Sequence, residues 1–260
     1  MTRYRKAVAS SLTAFTLMAA ACGGSPAAPS DTTATGSSLT QLFAGSLPAL
    51  GSSVFALTLV QASTVTLTLA SITAGPFNVA APAAAGLAFG AIDEAGACVH
   101  SDETSAVPAL TSHLTVSAQA GAHCVEISDT GGLSGPVNFA VRVLIVAGTA
   151  PATTTAAGSD SFASSIPRLG SSSRAIPASQ TGTITVNLTS LTPAGAVIGL
   201  GLGIPRADGG GCYLNASIDA TTGTPPISIR VDPGLYCVRA FDLGLLTSAG
   251  ATFTLTTAYP

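Results

Sequence analysis

The sequence predicts an all-β protein made of two tandem antiparallel β-sandwiches, jelly-roll-like in kind, that follow a helical signal peptide. An internal duplication predicts the two domains. Residues 121–131 (GAHCVEISDTG) match residues 234–244 (GLYCVRAFDLG), 113 positions later, at two glycines, a cysteine, a valine and an aspartate. Alternating apolar and Thr or Asn residues, with turn residues about every 8–12 positions and no helical period, predict the sandwich strands. Each repeat has about 100 residues, which is enough to bury a core.

The first 22 residues predict an export signal. A basic start is followed by an apolar run over residues 7–18 and by small residues before Cys22, which is the layout of a secretory leader. The run is shorter than the about 20 residues of a membrane span. Residues 19–22 (AAAC) resemble the lipobox of bacterial lipoproteins, with Ala19 where a leucine is usual. We therefore expect Cys22 to be lipidated; the alternative is ordinary cleavage that leaves a free thiol.

Five segments of the chain follow from the leader, the repeat and composition. Residues 1–22 are the signal peptide and lipobox, and residues 23–36, which are small, polar and proline-bearing, predict a flexible tether. The first sandwich is expected over residues 37–147 and the second over residues 159–260. Residues 148–158 read as a linker between two sandwiches that fold separately.

Strands are predicted where segments of the first repeat match segments of the second, in the same order along the chain. A six-residue difference in one loop changes the offset between the repeats from 119 to 113 positions. In the matched pair 86–90 and 199–203, the glycines indicate close backbone approach or a bend. The other segments alternate between apolar and polar residues, as half-buried strands do. The pairs are 43–53 with 162–172, 63–73 with 182–192, 86–90 with 199–203, 121–131 with 234–244, and 138–145 with 252–259.

The cysteines predict two disulfide bonds. Besides Cys22, each repeat holds one pair, Cys98 with Cys124 and Cys212 with Cys237, spaced 26 and 25 residues apart. Disulfides persist in the oxidising compartment that an export signal implies, and no C-x-x-C suggests zinc or redox chemistry instead. Strand parity turns the sulfurs away from the sandwich core. Each bond is expected to hold a turn against the outside of its sheet.

Charge argues against nucleic acid as a partner. Without the leader, six basic residues remain against twelve acidic ones, a net charge of about −6. Nucleic-acid binding needs a basic patch that neutralises phosphates. The remaining basic residues are scattered arginines: Arg142, Arg168, Arg174, Arg206, Arg230 and Arg239.

Four motifs shared by the repeats resemble the bacterial pre-peptidase C-terminal domain class. They are F-x-x-S-L/I-P, T-V/I-T-L/V-x-L-x-S, G-L-x-x-G and G-x-Y-C-V-R. The first repeat departs at His123, where the second has Tyr236, and at Glu126, opposite Arg239. The resemblance implies jelly-roll-like domains attached to exported enzymes and surface proteins, where they aid binding, secretion or stability without being catalytic. Some members bind calcium, but no acidic ligand set of this chain matches theirs residue by residue.

Histidines and acidic pairs are the remaining candidates for a site. All three histidines lie in the first repeat, and a metal or catalytic site among them is conceivable; we expect His123 to be a structural ring and His100 and His113 to be exposed loop residues. Asp93 with Glu94 and Asp102 with Glu103 could gather calcium, although solvated turns are favoured. Asp129 and Asp242 are expected to cap turns.

The sequence predicts no enzyme and no cofactor. It contains no G-x-S-x-G, H-E-x-x-H or P-loop, and no nucleophile, base and acid stand in a recognisable pattern. We expect a non-catalytic, lipid-anchored envelope protein, periplasmic or on the cell surface, that acts as a structural or interaction module with an unknown protein or glycan partner. The alternative is a carbohydrate- or calcium-binding accessory module of an exported system. Sugar binding is disfavoured by the absence of Trp and the confinement of the mature tyrosines to the second repeat.

Overall fold

The computed structural model describes residues 38–75, 78–93, 95–147 and 157–260. The predicted signal peptide, Cys22, the tether and residues 148–156 of the linker lie outside these residues. The described chain is all-β, as predicted, with strands and turns and no helix. Within it, no helix has the length and apolarity needed to cross a membrane.

Each repeat supplies the strands of one β-sandwich. The first repeat contains β1 (Ser38–Leu47), β2 (Ser52–Leu59), β3 (Ser63–Ala74), β4 (Val79–Ala80), β5 (Ala85–Ile92), β6 (Cys98–Ala106), β7 (Leu114–Ala118), β8 (Gly121–Ser128) and β9 (Val137–Ala147). The second contains β10 (Gly158–Ile166), β11 (Ser171–Ala178), β12 (Gly182–Thr192), β13 (Ile198–Pro205), β14 (Cys212–Ala220), β15 (Ile227–Val231), β16 (Gly234–Phe241) and β17 (Ala251–Tyr259).

Both sandwiches have the strand order of a jelly roll. In the second repeat one sheet runs β10-β17-β12-β15 and the other β11-β16-β13-β14. Counted within the repeat, these orders are 1-8-3-6 and 2-7-4-5, the arrangement of two interleaved Greek keys. The first repeat has the equivalent sheets, β1-β9-β3 with β7 beyond β3, and β2-β8-β5-β6, and adds the two-residue strand β4 beside β3. All strand pairs within the sheets are antiparallel.

Each sandwich has its own hydrophobic core, as the alternating pattern predicted. In β3, Val65, Leu67 and Leu69 are fully buried in a core to which only the first repeat contributes. In β12, Ile184 and Val186 are fully buried in a core drawn mainly from the second repeat. The packing of these apolar side chains between facing sheets is what stabilises the two layers.

Both predicted disulfide bonds are present, and each crosses over a middle strand. Cys98 on β6 is bonded to Cys124 on β8, and Cys212 on β14 to Cys237 on β16, with Cα atoms 5.7 Å apart in each pair. Cys98 and Cys212 are the first residues of β6 and β14, so the expectation that they lie in turns was wrong. The strands β5 and β13 lie between the bonded strands. The sulfurs lie outside the sandwich cores as expected, but Cys124 and Cys237 are buried. The outer face of the second sandwich is therefore covered near its disulfide.

Glycines on β5 and β13 permit the pairing beneath these disulfides. Gly90 pairs with Cys124 and Gly203 with Cys237. A Cβ at either glycine would collide with the backbone carbonyl of the neighbouring strand, at Val99 for the first. Both glycines also follow a register shift in that neighbouring pair. The close backbone approach that the sequence indicated is confirmed at these two positions.

Candidate functional site

The two sandwiches pack against each other along a buried seam, which the sequence did not indicate. The outer face of the β1-β9-β3 sheet turns small residues toward the second sandwich. Ala70 and Ala140 are fully buried, and they join the core of the second repeat together with the partly buried Leu42 and Ala44. The described part of residues 34–260 accordingly forms one compact unit. Whether each half folds alone, with the predicted boundaries, stays a prediction.

Hydrogen bonds fasten the middle of the seam where β3 meets β14. The hydroxyl of Ser71 donates to the carbonyl of Leu214, and Asn215 Nδ2 donates to the carbonyl of Ala70 over 3.1 Å. Nearby, the N–H of Ala80 donates to Ser217 Oγ over 3.2 Å. Val79 and Ala80 also pack against the cluster that contains the Cys212–Cys237 disulfide. The short strand β4 thus covers the outer disulfide of the second sandwich.

A second set of contacts closes one end of the seam. Leu110 forms a parallel bridge with Val231, and the N–H of Asp232 donates to the Leu110 carbonyl over 3.2 Å. The Asp232 carboxylate accepts a hydrogen bond of 2.8 Å from the N–H of Ser112. These contacts join the loop before β7 to the turn between β15 and β16.

Arg142 and Tyr236 form the buried polar centre of the seam. Arg142 is 9% exposed and Tyr236 is fully buried. Arg142 Nη1 donates to the Tyr236 hydroxyl over 3.0 Å and Nη2 to the Leu110 carbonyl over 3.3 Å, and the guanidinium carbon lies 5.3 Å from the tyrosine ring centroid. The Tyr236 hydroxyl donates in turn to the Asp232 carbonyl. Burial raises the pKa of Tyr236, so the phenol stays protonated and able to donate.

Two cavities lie along β1 where the seam opens. One, of about 350 Å³, is lined by polar side chains: Ser46, Thr73, Asn78, Asn138, Arg206 and Tyr213, with Ala44, Gly45 and Cys212. Ligand sites are commonly of this size and commonly occur between domains. The other, of about 240 Å³, is mostly apolar and contains Arg142, with Thr40, Leu42, Leu144, Ile204, Pro205, Pro233, Gly234 and Leu235.

Side chains that line the polar cavity are held in place by contacts with one another. The guanidinium of Arg206 lies over the ring of Tyr213, 4.6 Å from its centroid, and its Nε is 3.7 Å from Asp208 Oδ1. Asn138 Nδ2 donates to Asn78 Oδ1 over 2.8 Å. Paired amides, a tyrosine and a guanidinium together are suited to hydrogen bonding with the hydroxyl groups of a sugar.

Arg239 lies on the outer face of the same sheet as Arg206. Burial, and then the positive charge of Arg206, lower the pKa of Arg239. Its Nε is buried and makes no hydrogen bond to the described residues, and its guanidinium carbon lies 5.1 Å from the Phe241 ring centroid. This arginine is therefore held by packing on an aromatic ring rather than by an ion pair.

His123 is the structural ring that the sequence predicted. Its Nε2 donates to the carbonyl of Gln119 over 2.9 Å, and its ring stacks on Phe89 at 5.1 Å. Tyr236, its counterpart in the second repeat, bonds the carbonyl of Asp232, which is also four residues upstream. The two different rings thus make the same local hydrogen bond, to a carbonyl four residues upstream, at equivalent positions in both sandwiches.

The expectation that His113 and His100 are exposed loop residues was wrong in part, because His113 lies in a loop but is not exposed and His100 is exposed but lies on a strand. His113 is half-buried; its Nδ1 accepts the N–H of Leu69 over 3.1 Å and its Nε2 donates to the Val107 carbonyl over 2.7 Å. His113 therefore lies beside the irregularity in β3, where the pairing with β9 shifts register after Leu69. His100 lies on β6, in the outer sheet.

Two glutamates hold the ring of His100. Nε2 lies 2.9 Å from Glu126 Oε2 and Nδ1 lies 3.4 Å from Glu103 Oε2. The hydrogen bond to Glu126 raises the pKa of His100. Cys98, His100 and Glu126 are close enough to hold a metal ion, but the Cys98 sulfur is used in a disulfide. Because the two ring nitrogens face different carboxylates, the arrangement suits an imidazolium better than a metal ligand.

The acidic pairs do not converge on one point. Asp93 Oδ1 accepts the N–H groups of Ala95 and Ala97 over 2.9 and 2.8 Å, as a turn residue does, and Glu94 lies outside the described residues. Asp102 and Glu103 lie on β6 and not in a turn, which corrects the expectation for that pair. Asp102 Oδ2 accepts the Ser101 hydroxyl over 2.9 Å.

Asp129 and Asp242 cap turns as predicted. Asp242 Oδ1 accepts the N–H groups of residues 244, 245 and 246 over 2.9–3.0 Å, and Asp129 Oδ1 does the same for residues 131, 132 and 133 over 2.9–3.2 Å. The hydrogen bond from Leu50 is the largest cause that lowers the pKa of Asp129. Burial alone would raise the pKa of Asp242, but its backbone hydrogen bonds outweigh burial and lower it.

Comparisons with known proteins add little to this picture. No protein-family model matches the chain, and no curated protein does. Among solved structures, the PBSX exported protein XepA is 10% identical with a TM-score of 0.31, over 85% of this chain and 86% of that one. The structure titled as that of the Sulfolobus turreted icosahedral virus is 10% identical with a TM-score of 0.26, over 86% of this chain and 93% of that one. Similarity this low carries no inference about function, and the jelly-roll assignment rests on strand order.

Sequence reasoning missed the importance of Arg142. It counted this residue among scattered arginines, although Arg142 falls on the outward parity of β9 between Ala140 and Leu144. An arginine flanked on its own face by apolar residues could have indicated a covered surface. The partner surface could not have been named from that signal.

Proposed function

We propose that this chain is a non-catalytic, lipid-anchored protein of the bacterial cell envelope that serves as a structural or interaction module. The observation that carries the proposal is the seam between the sandwiches. It joins two repeats into one body and leaves two cavities along β1. Two domains packed into one unit around preformed cavities are suited to binding.

Export and anchoring are supported by independent features. The leader-like residues 1–22 end in the lipobox-like AAAC, and two intact disulfides suit an oxidising compartment. The resemblance to pre-peptidase C-terminal domains agrees with an accessory role on the outside of the cell. The side chains that sequence analysis weighed for catalysis or metal binding are engaged in turns, corners and ion pairs, which favours a non-catalytic role.

A fractionation experiment tests the anchoring. The full chain and its Cys22→Ser variant would be expressed in a bacterial host and recovered from membrane and soluble fractions. We expect the parent in the membrane fraction with a mass that includes the lipid, and the variant in the soluble fraction. Identical fractionation of the two proteins, with an unmodified N-terminus, would contradict the proposal.

A carbohydrate-binding role is the second candidate, because of the polar cavity. Its Tyr213, Arg206 and paired asparagines line the cavity with hydrogen-bonding groups. A glycan array probed with the full chain tests this role, with Tyr213→Ala as the disrupting variant and Tyr259→Ala, outside the cavity, as the matched control. Binding that Tyr213→Ala abolishes and Tyr259→Ala retains supports the role. Absence of glycan binding removes it.

A further inference from the structure

Arg142 is a buried cation without a counter-ion among the described residues. No carboxylate of the described chain forms an ion pair with it. The nearest acidic residue of the seam network, Asp232, directs its carboxylate to the N–H of Ser112 and the hydroxyl of Thr181. Burying a charge away from an opposite charge is costly. A counter-ion supplied by a ligand would offset that cost.

The guanidinium has donors left for such a ligand. Of the five N–H groups of an arginine, Arg142 uses one from Nη1 and one from Nη2. Its side chain lines the apolar cavity of about 240 Å³. A carboxylate is a small anion whose two oxygens match adjacent guanidinium N–H groups.

The walls of this cavity define the rest of the ligand. Leu42 and Leu144 come from the first sandwich, and Ile204, Pro205 and Leu235 from the second. These side chains offer contact area but no charge, so they favour a hydrocarbon chain beside the anionic head. At about 30 Å³ for each water-sized group, the cavity of about 240 Å³ holds about eight non-hydrogen atoms, the number in a six-carbon carboxylate, and the end of a longer chain would extend from its open side.

We propose that the seam binds a linear carboxylate of about six to eight carbons, the carboxyl carbon included, in the manner of a medium-chain fatty acid. The carboxylate pairs with the free N–H groups of Arg142, and the chain lies between Leu42, Leu144 and Leu235. Charge complementarity to the buried guanidinium selects the head, and the apolar walls select the tail. This site is separate from the polar cavity, so it does not depend on sugar binding.

NMR titration of the full chain with octanoate tests the proposal. The protein would carry ¹⁵N-labelled arginine, so that the side-chain N–H signal of Arg142 reports directly on the cavity. We expect octanoate to shift that signal saturably. Octanamide, which has the same chain and no charge, and acetate, which has the head and no chain, should each bind at least about tenfold more weakly. Equal binding of octanoate and octanamide would overturn the role of the charge.

A variant at Leu42 separates loss of binding from loss of folding. Leu42 lies directly opposite Arg142 on the neighbouring strand, so their side chains share a face at close range. Leu42→Glu places a carboxylate within reach of the guanidinium and should abolish octanoate binding, while the melting temperature stays at or above that of Leu42→Gln. Leu42→Gln is the control for the lost apolar contact, and we expect it to bind octanoate more weakly than the parent but measurably more strongly than Leu42→Glu. Octanoate binding that is equal in the two variants overturns the proposal.

Arg142→Lys and Arg142→Met give a second test of the head group. The lysine variant keeps the positive charge and should lose affinity by less than the methionine variant, for which we expect at least a tenfold loss. Retention of full affinity in Arg142→Met contradicts the site. If a peptide with a free C-terminal carboxylate and apolar last residues binds and octanoate does not, the fatty-acid assignment is wrong.

Discussion

The carboxylate of Asp129 accepts a hydrogen bond of 2.7 Å from the backbone N–H of Leu50, 79 residues earlier in the chain. Asp242 accepts the equivalent bond from Leu169, also at 2.7 Å. Both leucines have a positive φ, 56° and 58°, in the left-handed region that is unfavourable for a residue with a Cβ. Both side chains are mostly exposed, so apolar burial does not offset the strain. The buried aspartate therefore holds the turn after the first strand of each sandwich.

Replacement of Asp242 by Asn should lower the free energy of unfolding by about 1–3 kcal/mol. One of its oxygens becomes an amide that faces backbone N–H donors, and buried donors without acceptors cost about that much. Urea denaturation followed by circular dichroism measures the change. Asp219→Asn is the matched control, because Asp219 is exposed and should change the free energy by less than about 0.5 kcal/mol. Equal midpoints for the two variants would contradict the capping role.

The folded state should become less stable as pH rises, because His100 loses its proton. Its pKa is raised above the ordinary value of 6.5, first by the hydrogen bond to Glu126 and further by Glu103, while burial opposes them. A pKa that is higher in the folded state contributes stability that is complete below the unfolded pKa and is lost as pH rises through the folded one. The melting temperature of the parent relative to Glu126→Gln should therefore be higher at about pH 5.5 than at about pH 8.5. An NMR titration that places His100 at or below 6.5 would refute this account.

The alternation of apolar and polar residues was sufficient to predict the strands, because a strand that is buried on one face has an apolar side chain at every second position. Val65, Leu67 and Leu69 are buried at the predicted positions. The duplication likewise predicted the cysteine pairing, since the two pairs have nearly the same spacing and Cys124 and Cys237 recur in the same strand context. The left-handed turns could not be predicted, because leucine normally avoids that conformation and the stabilising aspartate lies more than 70 residues away.

Apart from the signal at Arg142, the seam could not be predicted, because its small residues look the same as exposed ones. Ala44, Ala70 and Ala140 are small side chains on the outward face of their strands, where alanine is compatible with water or with a neighbour. The hydroxyl of Ser71 donates to the Leu214 carbonyl, but from the sequence alone a serine at this position is expected to face solvent. Only the three-dimensional arrangement distinguishes these alternatives.

The Cys98–Cys124 disulfide should be reduced before Cys212–Cys237. Cys98 is half-buried, whereas Cys212 and Cys237 are both buried, at 4% and 3% exposure, beneath Val79 and Ala80. Each bond closes a loop of about 25 residues, so its loss should cost about 3 kcal/mol by the chain-entropy estimate without abolishing the fold. Timed reduction followed by thiol labelling and peptide mapping measures the order. Earlier labelling of Cys212 and Cys237 would contradict the covering by β4.

Calorimetry of the full chain beside its two halves tests the central claim, that the sandwiches form one body along the seam. Residues 37–147 and 159–260 each contain a core, so each half should unfold cooperatively by itself. In the full chain they also share the buried Arg142–Tyr236 contact and the β3–β14 hydrogen bonds. The account predicts one transition in the full chain, at a higher temperature than that of either half. Two transitions that coincide with those of the isolated halves would contradict it.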